Sequence, residues 1–217
     1  MLDARGLVSD DRRFAFDSGR EQVSVNSVDG PVALGDRILV VGSSCAGKST
    51  LAKHLSTALG APYVELDALF WRPNWTEPAD DAFAAQIRDA TAGDRWVVAG
   101  NYRRHTMPIT WPRADTVIWL DFGLPLVTWR VLRRSWRRWR KNELLWGTNY
   151  ERFWPQLKLW DKNSLITFNI TTHRSRRARY AAAMDDPRWA HIEFIRLRNP
   201  QELRGFLDRI PAAATAA

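Results

Sequence analysis

A glycine-rich segment directly behind an apolar strand constrains this chain more than any other feature. Residues 42–50 read GSSCAGKST, which satisfies the pattern G-x-x-x-x-G-K-[ST], and they follow the apolar run 38–41. A helical pattern begins at Lys48, repeats leucine at every fourth position on one face, and ends at Gly60. A buried strand, glycines that let successive amides turn inward, and a helix N-terminus are the three parts of a phosphate-binding loop. The sequence therefore predicts a P-loop.

Charge placement assigns a role to each part of this loop. The amides from Ser44 to Ser49 surround the β-phosphate, the Lys48 ammonium reaches the β/γ oxygens, and the Ser49 hydroxyl ligates Mg²⁺. We therefore expect ATP and Mg²⁺ to bind here. The residues predicted to touch the nucleotide in this loop are Gly42, Ser43, Ser44, Cys45, Ala46, Gly47, Lys48, Ser49 and Thr50.

Length and charge limit the class of protein. The 217 residues are enough for one buried core and too few for two independent domains. A net charge of +8 indicates anionic partners, and nucleotide phosphates, nucleic acid and acidic membrane surfaces all remain open. The single cysteine excludes an intramolecular disulfide, residues 1–30 lack the apolar core of a secretory signal, and no apolar run is long enough to cross a membrane. We expect a cytoplasmic protein with no membrane partner.

From Arg37 onward, strand patterns alternate with helix patterns. This alternation predicts an α/β fold with a parallel sheet covered by helices on both faces. Residues 1–36 are interpreted as an N-terminal extension and residues 37–217 as the domain. The predicted strands are 37–41, 62–66, 96–100, 116–120 and 191–197, and the predicted helices are 48–59, 80–91, 124–140, two segments near 149–160 and 174–184, and 200–210.

Two carboxylates are predicted to lie where parallel strands end. Asp67 follows the second strand and Asp121 the fourth. Ligands in open α/β sheets bind at the carboxyl ends of the strands. Either carboxylate there could hold Mg²⁺ or take a proton from an acceptor hydroxyl, and the alternative is that each caps the next turn. Both are therefore candidate metal ligands, and Asp67 is also a candidate catalytic residue.

The predicted helix 124–140 is strongly basic and rich in tryptophan. Trp129, Leu132, Trp136 and Trp139 fall on one stripe that we expect to face the core, and arginines occupy much of the remaining circumference. A second basic cluster lies at 173–179. The two clusters form a clamp on transferring phosphates if they face each other across the P-loop, or a nucleic-acid footprint if they share an outer surface.

Two further segments resemble a known family. With the P-loop, the run ELDALFWRPNW at 65–75 and the segment Gly100-Asn101-Tyr102 make the chain similar to the bacterial DNA topology modulation proteins, which are P-loop relatives of adenylate kinase. The similarity runs from about Arg37 to Ile210. It implies a P-loop NTPase three-layer α/β/α sandwich with a five-stranded parallel sheet in the order 2-3-1-4-5. It also implies an acceptor-side flap after strand 62–66 and a helical lid at about 124–180.

The resemblance also implies roles for particular residues. Adenylate kinases place lid arginines on the transferred and acceptor phosphates, and the corresponding positions are Arg130 and Arg134, followed by Arg174 and Arg177. Asn199 lies in a segment similar to the one near the adenine pocket. Related proteins usually carry an acid where this chain has Ala99, and Asp67 or Asp121 is the candidate to replace it.

Three functions follow from these features. The first is an ATP-dependent phosphotransferase acting on a small, nucleotide-like acceptor, for which Trp71, Trp75 and Tyr102 would form a wall suited to a planar base or would simply pack. The second is a nucleic-acid-associated ATPase or regulator that contacts nucleic acid nonspecifically through helix 129–141. The third, favoured by Ala99, is a nucleotide-binding switch with little catalysis.

Overall fold

The computed structural model describes residues 32–150 and 164–210 and is built around a five-stranded parallel sheet. The strands lie in the order β2-β3-β1-β4-β7, with β1 in the centre. Since β7 is the fifth strand of this sheet along the chain, the predicted order 2-3-1-4-5 is confirmed. The strands are β1 (Arg37–Gly42), β2 (Tyr63–Glu65), β3 (Trp96–Ala99), β4 (Thr116–Leu120) and β7 (Glu193–Leu197), and β5 (Leu144–Leu145) and β6 (Asn149–Tyr150) form a separate antiparallel hairpin.

Helices connect the strands and cover the sheet. They are α1 (Lys48–Leu59), α2 (Leu66–Phe70), α3 (Asp80–Ala90), α4 (Arg103–Ile109), α5 (Leu124–Arg140), α6 (Leu165–Met184) and α7 (Pro200–Leu207), with 3₁₀ turns at Pro73–Trp75, Trp111–Arg113 and Pro187–Trp189.

Most predicted helices are confirmed, and two segments differ. Helix α6 begins at Leu165 rather than at 174, because Ser164 caps it by accepting a hydrogen bond from the Thr167 amide. The helix predicted near 149–160 is wrong at its start, where Asn149–Tyr150 is a strand. The rest of that prediction, residues 151–160, lies outside the described residues.

The sheet buries both of its faces, as a three-layer sandwich requires. Side chains alternate along β1, so that Ile38 and Val40 join a core with α1, α5 and α7, whereas Leu39 and Val41 join a second core with α3 and α6. No helix within residues 32–150 or 164–210 combines the length and hydropathy needed to cross a membrane.

The folded body extends in front of the predicted boundary at residue 37. The Val32 amide donates a hydrogen bond to the Arg209 carbonyl, and the Gly35 amide donates one to Thr116 Oγ1. Val32 and Leu34 also pack against the core that contains β1. Residues 32–36 are thus part of the domain, and the rest of the predicted extension, 1–31, lies outside the described residues.

Helix α5 does not bury its tryptophans, so the predicted core stripe was wrong. Trp129 is 54% exposed, Trp136 44% and Trp139 38%. The buried residues of the helix are instead Val127, Val131 and Ser135. A helix turns about 100° per residue, so Trp129 and Trp136 lie on nearly the opposite side from Val127. The small residues at these buried positions form the face of α5 that packs on the core, and the three tryptophan rings lie outside that core.

Candidate functional site

The P-loop has the backbone shape of an anion site. Gly42 has a φ of 140°, and a Cβ there would lie 2.5 Å from the Leu120 carbonyl oxygen, so only glycine fits. Gly47 has a φ of 105° with no atom within 4 Å of where a Cβ would be, and it begins α1 without a side-chain cap or a first-turn acid. Within the described residues, the amides of Gly47, Lys48 and Ser49 donate no hydrogen bond. These amides and this open space suit a phosphate group.

Asn101 fixes the entry to the loop. Its Oδ1 accepts a hydrogen bond from the Gly42 amide at 3.1 Å, and its Nδ2 donates to the Gly42 carbonyl at 2.7 Å. The Tyr180 hydroxyl donates to the same Oδ1 at 3.2 Å. Sequence analysis singled out Asn101 as part of a family-like segment without assigning this role, because only the adjacency of β1 and β3 brings it to Gly42.

Replacing Asn101 with alanine should weaken ATP binding about tenfold. The substitution removes two hydrogen bonds that hold Gly42 at the start of the loop, and each such bond contributes about 1 kcal/mol. Titration calorimetry with MgATP measures the affinity. Gln201→Ala, which removes an exposed amide side chain on α7, is the matched control and should bind as the wild type does. Equal affinities for the two variants would contradict a positioning role for Asn101.

Lys48 is largely buried beside the loop. Its ammonium donates to the Ser43 carbonyl oxygen at 3.0 Å. The pKa of Lys48 is lowered to about 8, chiefly by burial; the charge of Asp67 opposes this shift, and the charges of Arg176 and Arg134 contribute to it. Lys48, Arg134 and Arg176 thus place positive charges close together, and the phosphates of a nucleotide would neutralise them.

Two carboxylates lie beside the loop. The Ser49 hydroxyl donates to Glu65 Oε1 at 2.9 Å, and Asp67 Oδ1 accepts from the Tyr102 hydroxyl at 2.8 Å. Burial, and next the charge of Asp67, raise the pKa of Tyr102, so its hydroxyl remains a donor. Asp67 falls in the first turn of α2 rather than at the tip of a strand.

The sequence analysis did not assign Glu65 to the site. In the parallel register of β2 and β3, Glu65 is paired with Ala99. A carboxylate on β2 therefore lies beside the position on β3 where the resemblance led us to expect an acid. Its signal in the sequence is the spacing Glu65-x-Asp67 at the end of the second strand.

The two predicted arginines of α5 reach the site. Arg130 Nη1 donates to the Ala46 carbonyl of the P-loop at 3.0 Å, and its guanidinium lies over the Phe122 ring. Arg134 lines the same cavity as Lys48.

The two arginines predicted on α6 do not reach it, and this part of the prediction needs correction. Arg174 is exposed, and Arg177 pairs with Asp121. Arg176 and Arg179 line the cavity instead. The inward row of α6 runs Phe168, Thr172, Arg176 and Tyr180 at a spacing of four, so Arg174 and Arg177 project from other sides of the helix.

Asp121 and Asn199 are also placed away from the cavity lining. The buried Asp121 carboxylate lies 2.8 Å from Arg177 Nε and 2.6 Å from Arg196 Nη2. Asn199 caps α7 by accepting from the Gln201 and Glu202 amides. The structure thus gives both residues structural partners and does not bring either to the P-loop.

The cavity has a volume of about 2440 Å³, which exceeds the roughly 300–1,000 Å³ of a site for one small ligand. It therefore has room for two substrates. Trp71 and Trp75 line it with ring centroids 5.4 Å apart, Trp146 lies 5.9 Å from Trp75, and Tyr102 lines the same space.

No group of three or more His, Cys, Asp or Glu side chains within the described ranges could hold a metal unaided. Mg²⁺ at phosphate sites usually has one or two protein oxygens, with phosphates and water completing its shell. Ser49, Glu65 and Asp67 fit that pattern, because all three line the cavity beside Lys48.

No protein-family model and no curated protein matches this chain. Among solved structures, it is similar to a gluconokinase from Sinorhizobium meliloti 1021, at 18% identity over 81% of this chain and 90% of that chain, with a TM-score of 0.42. A shikimate kinase from Bacteroides thetaiotaomicron has 16% identity over 80% and 94% of the two chains and a TM-score of 0.45. A sugar kinase from Janibacter sp. HTCC2649 has 16% identity over 84% and 99%, with a TM-score of 0.42. Similarity at this level leaves function to be inferred from the residues that line the cavity.

Proposed function

We propose that this protein is an ATP-dependent phosphotransferase that acts on a small, nucleotide-like acceptor. The observation that carries the proposal is the shared cavity. Lys48 and Ser49 of the P-loop, two carboxylates and the arginines of α5 and α6 all line it. Phosphoryl transfer depends mainly on positioning and on stabilising charge, and these are the groups that such a site needs.

Each residue has a distinct task in this proposal. The loop amides and the Lys48 ammonium hold the β/γ oxygens, while Ser49, with Glu65 beside it, would hold Mg²⁺. When bound, Mg²⁺ screens the charge between the β- and γ-phosphates. Arg130 and Arg134 stabilise the charge that develops on the transferred group.

Asp67 is the proposed proton acceptor. Its Oδ1 is held by the Tyr102 hydroxyl, and its Oδ2 has no hydrogen-bond partner within the described residues. That oxygen is available to take the proton of an acceptor hydroxyl as the phosphoryl group arrives.

Three arginines support an anionic acceptor. Arg103, Arg176 and Arg179 line the cavity, and none of them is paired with a carboxylate within the described residues. Burial lowers the pKa of Arg103 and of Arg176. A phosphate or carboxylate on the acceptor would form ion pairs with these guanidinium groups, and the tryptophan rings would contact a planar base.

Measurement of ATP consumption against nucleosides, nucleoside monophosphates and small hydroxylated acids tests this function. Consumption that depends on one acceptor supports the kinase. Consumption without an acceptor indicates an ATPase, and tight ATP binding without consumption indicates a switch; either result would contradict the proposal.

Arg176→Ala should lower the rate of transfer about 10²-fold, because Arg176 lies near Lys48 and lines the cavity. Arg174→Ala removes an exposed arginine from the same helix and should stay within about twofold of the wild type, as surface substitutions usually do. Steady-state kinetics on the acceptor found above compares the two. Equal losses in both variants would show that general positive charge, rather than the position of Arg176, matters.

A second candidate is the nucleic-acid-associated ATPase that the resemblance to DNA topology modulation proteins implies. Trp129, Trp136 and Trp139 are exposed along a basic helix, although Trp129 and Trp136 also line the cavity. Exposed rings can stack on unpaired bases, and this favours the second candidate. Binding to single-stranded DNA that persists at high salt would support it. Binding that disappears steeply with salt would leave only nonspecific charge attraction.

A further inference from the structure

The β5–β6 hairpin is bonded to the flap that follows α2. The flap is the turn Arg72–Thr76, closed by a hydrogen bond from the Arg72 amide to the Thr76 carbonyl. The hairpin spans residues 144–150 and follows α5 directly. The two segments are about seventy residues apart in sequence, so this contact is a tertiary one that only the fold creates.

Asn149 makes the central contact. Its Oδ1 accepts from the Trp75 amide at 2.9 Å, and its Nδ2 donates to the Arg72 carbonyl at 3.0 Å. Asn149 is 2% exposed, so both bonds are shielded from water. The Asn149 side chain thus forms two hydrogen bonds that join the hairpin to the flap.

Trp75 adds two further contacts on the cavity side. Its indole Nε1 donates to the Tyr150 carbonyl at 3.2 Å, and its ring lies 5.9 Å from that of Trp146. Trp75 has a φ of 57° and Trp146 a φ of 48°, values that bulky side chains rarely adopt. The Trp75 amide is held in this conformation by its hydrogen bond to Asn149 Oδ1.

The same segment also contacts the P-loop. Arg130, in the interior of α5, donates to the Ala46 carbonyl. A chain of contacts therefore runs from the phosphate-binding loop through Arg130, along the C-terminal part of α5 and the hairpin, and through Asn149 to the flap. Packed rigid elements and hydrogen bonds of this kind are what can carry a shift from one site to another.

We propose that Asn149 is a positioning residue that joins the aromatic acceptor wall to the lid, so that binding of ATP at the P-loop orders the flap that receives the acceptor. This proposal rests on the proposed function. It states that binding at the ATP site and binding at the acceptor site favour each other. By thermodynamic linkage, the acceptor then strengthens ATP binding by the same factor by which ATP strengthens acceptor binding.

Hydrogen exchange of the full chain, with and without MgATP as the probe, tests the coupling. In the wild type, MgATP should slow exchange both in the P-loop, 42–50, and in the flap, 72–76. In Asn149→Ala, P-loop protection should remain and the flap should lose its response to MgATP. The Trp75 amide should exchange about tenfold faster even without nucleotide, because its hydrogen bond to Asn149 Oδ1 is gone.

Two further variants sharpen the test. Asn149→Asp retains an oxygen that can accept from the Trp75 amide and should keep part of the flap response. Tyr150→Ala removes a side chain that is 57% exposed while leaving its carbonyl in place, and it should behave as the wild type does.

The outcomes separate the two proposals. A flap that responds equally to MgATP in the wild type and in Asn149→Ala overturns the coupling while P-loop protection still supports the function. A wild-type P-loop that MgATP does not protect overturns the proposed function, and the coupling with it.

Discussion

Lys48→Ala should lose phosphotransfer by at least about 10³-fold, because the Lys48 ammonium is the cation that the P-loop pattern assigns to the β/γ oxygens, where charge develops during transfer. The fold should remain intact, since the side chain makes one hydrogen bond, to the Ser43 carbonyl, and belongs to neither core. Acceptor-dependent ATP consumption measures the loss, and thermal unfolding checks the fold.

His54→Ala is the matched control for this experiment. His54 is exposed on the same helix and does not line the cavity, so its removal should change the rate little. A Lys48→Ala protein that transferred phosphate as fast as the His54→Ala protein would remove the basis for the proposed function.

Asp121→Asn should lower the free energy of unfolding by about 3 kcal/mol, because it leaves the Arg177 and Arg196 guanidiniums without their shared buried carboxylate. Urea unfolding measures this loss. The dependence of activity on Mg²⁺ concentration should stay as in the wild type, since Asp121 does not line the cavity.

Asp186→Asn provides the comparison. Asp186 pairs with Arg188 at the surface, where solvent screens the pair and its removal should change the free energy of unfolding little. If Asp121→Asn instead kept its stability and shifted the Mg²⁺ requirement, Asp121 would be a metal ligand, as the strand-end position first predicted.

Two features could be predicted from the sequence. The P-loop follows from the local spacing of its residues, the sheet order follows from the family resemblance, and both are present in the structure. The arginines of α6 could not be chosen correctly, because Arg174, Arg176 and Arg177 are close together and only packing decides which one faces inward. The same limit applies to α5, where the valines and a serine, rather than the larger tryptophans, meet the core.

Glu65 required knowledge of strand pairing. Its partner across the sheet, Ala99, is thirty-four positions away in the chain, and nothing in the local pattern around either residue shows that they are neighbours. The contacts of Asn101 and Asn149 could not be predicted for the same reason, since each binds a segment that is distant in sequence.

The pairing of Glu65 with Ala99 bears on how P-loop proteins are judged to be active or inactive. Alanine at position 99 leaves the Ser49 hydroxyl with a carboxylate partner, because Glu65 on the adjacent strand accepts its hydrogen bond. For this chain, strand register rather than a single position in the sequence therefore decides whether an acid stands beside the P-loop hydroxyl.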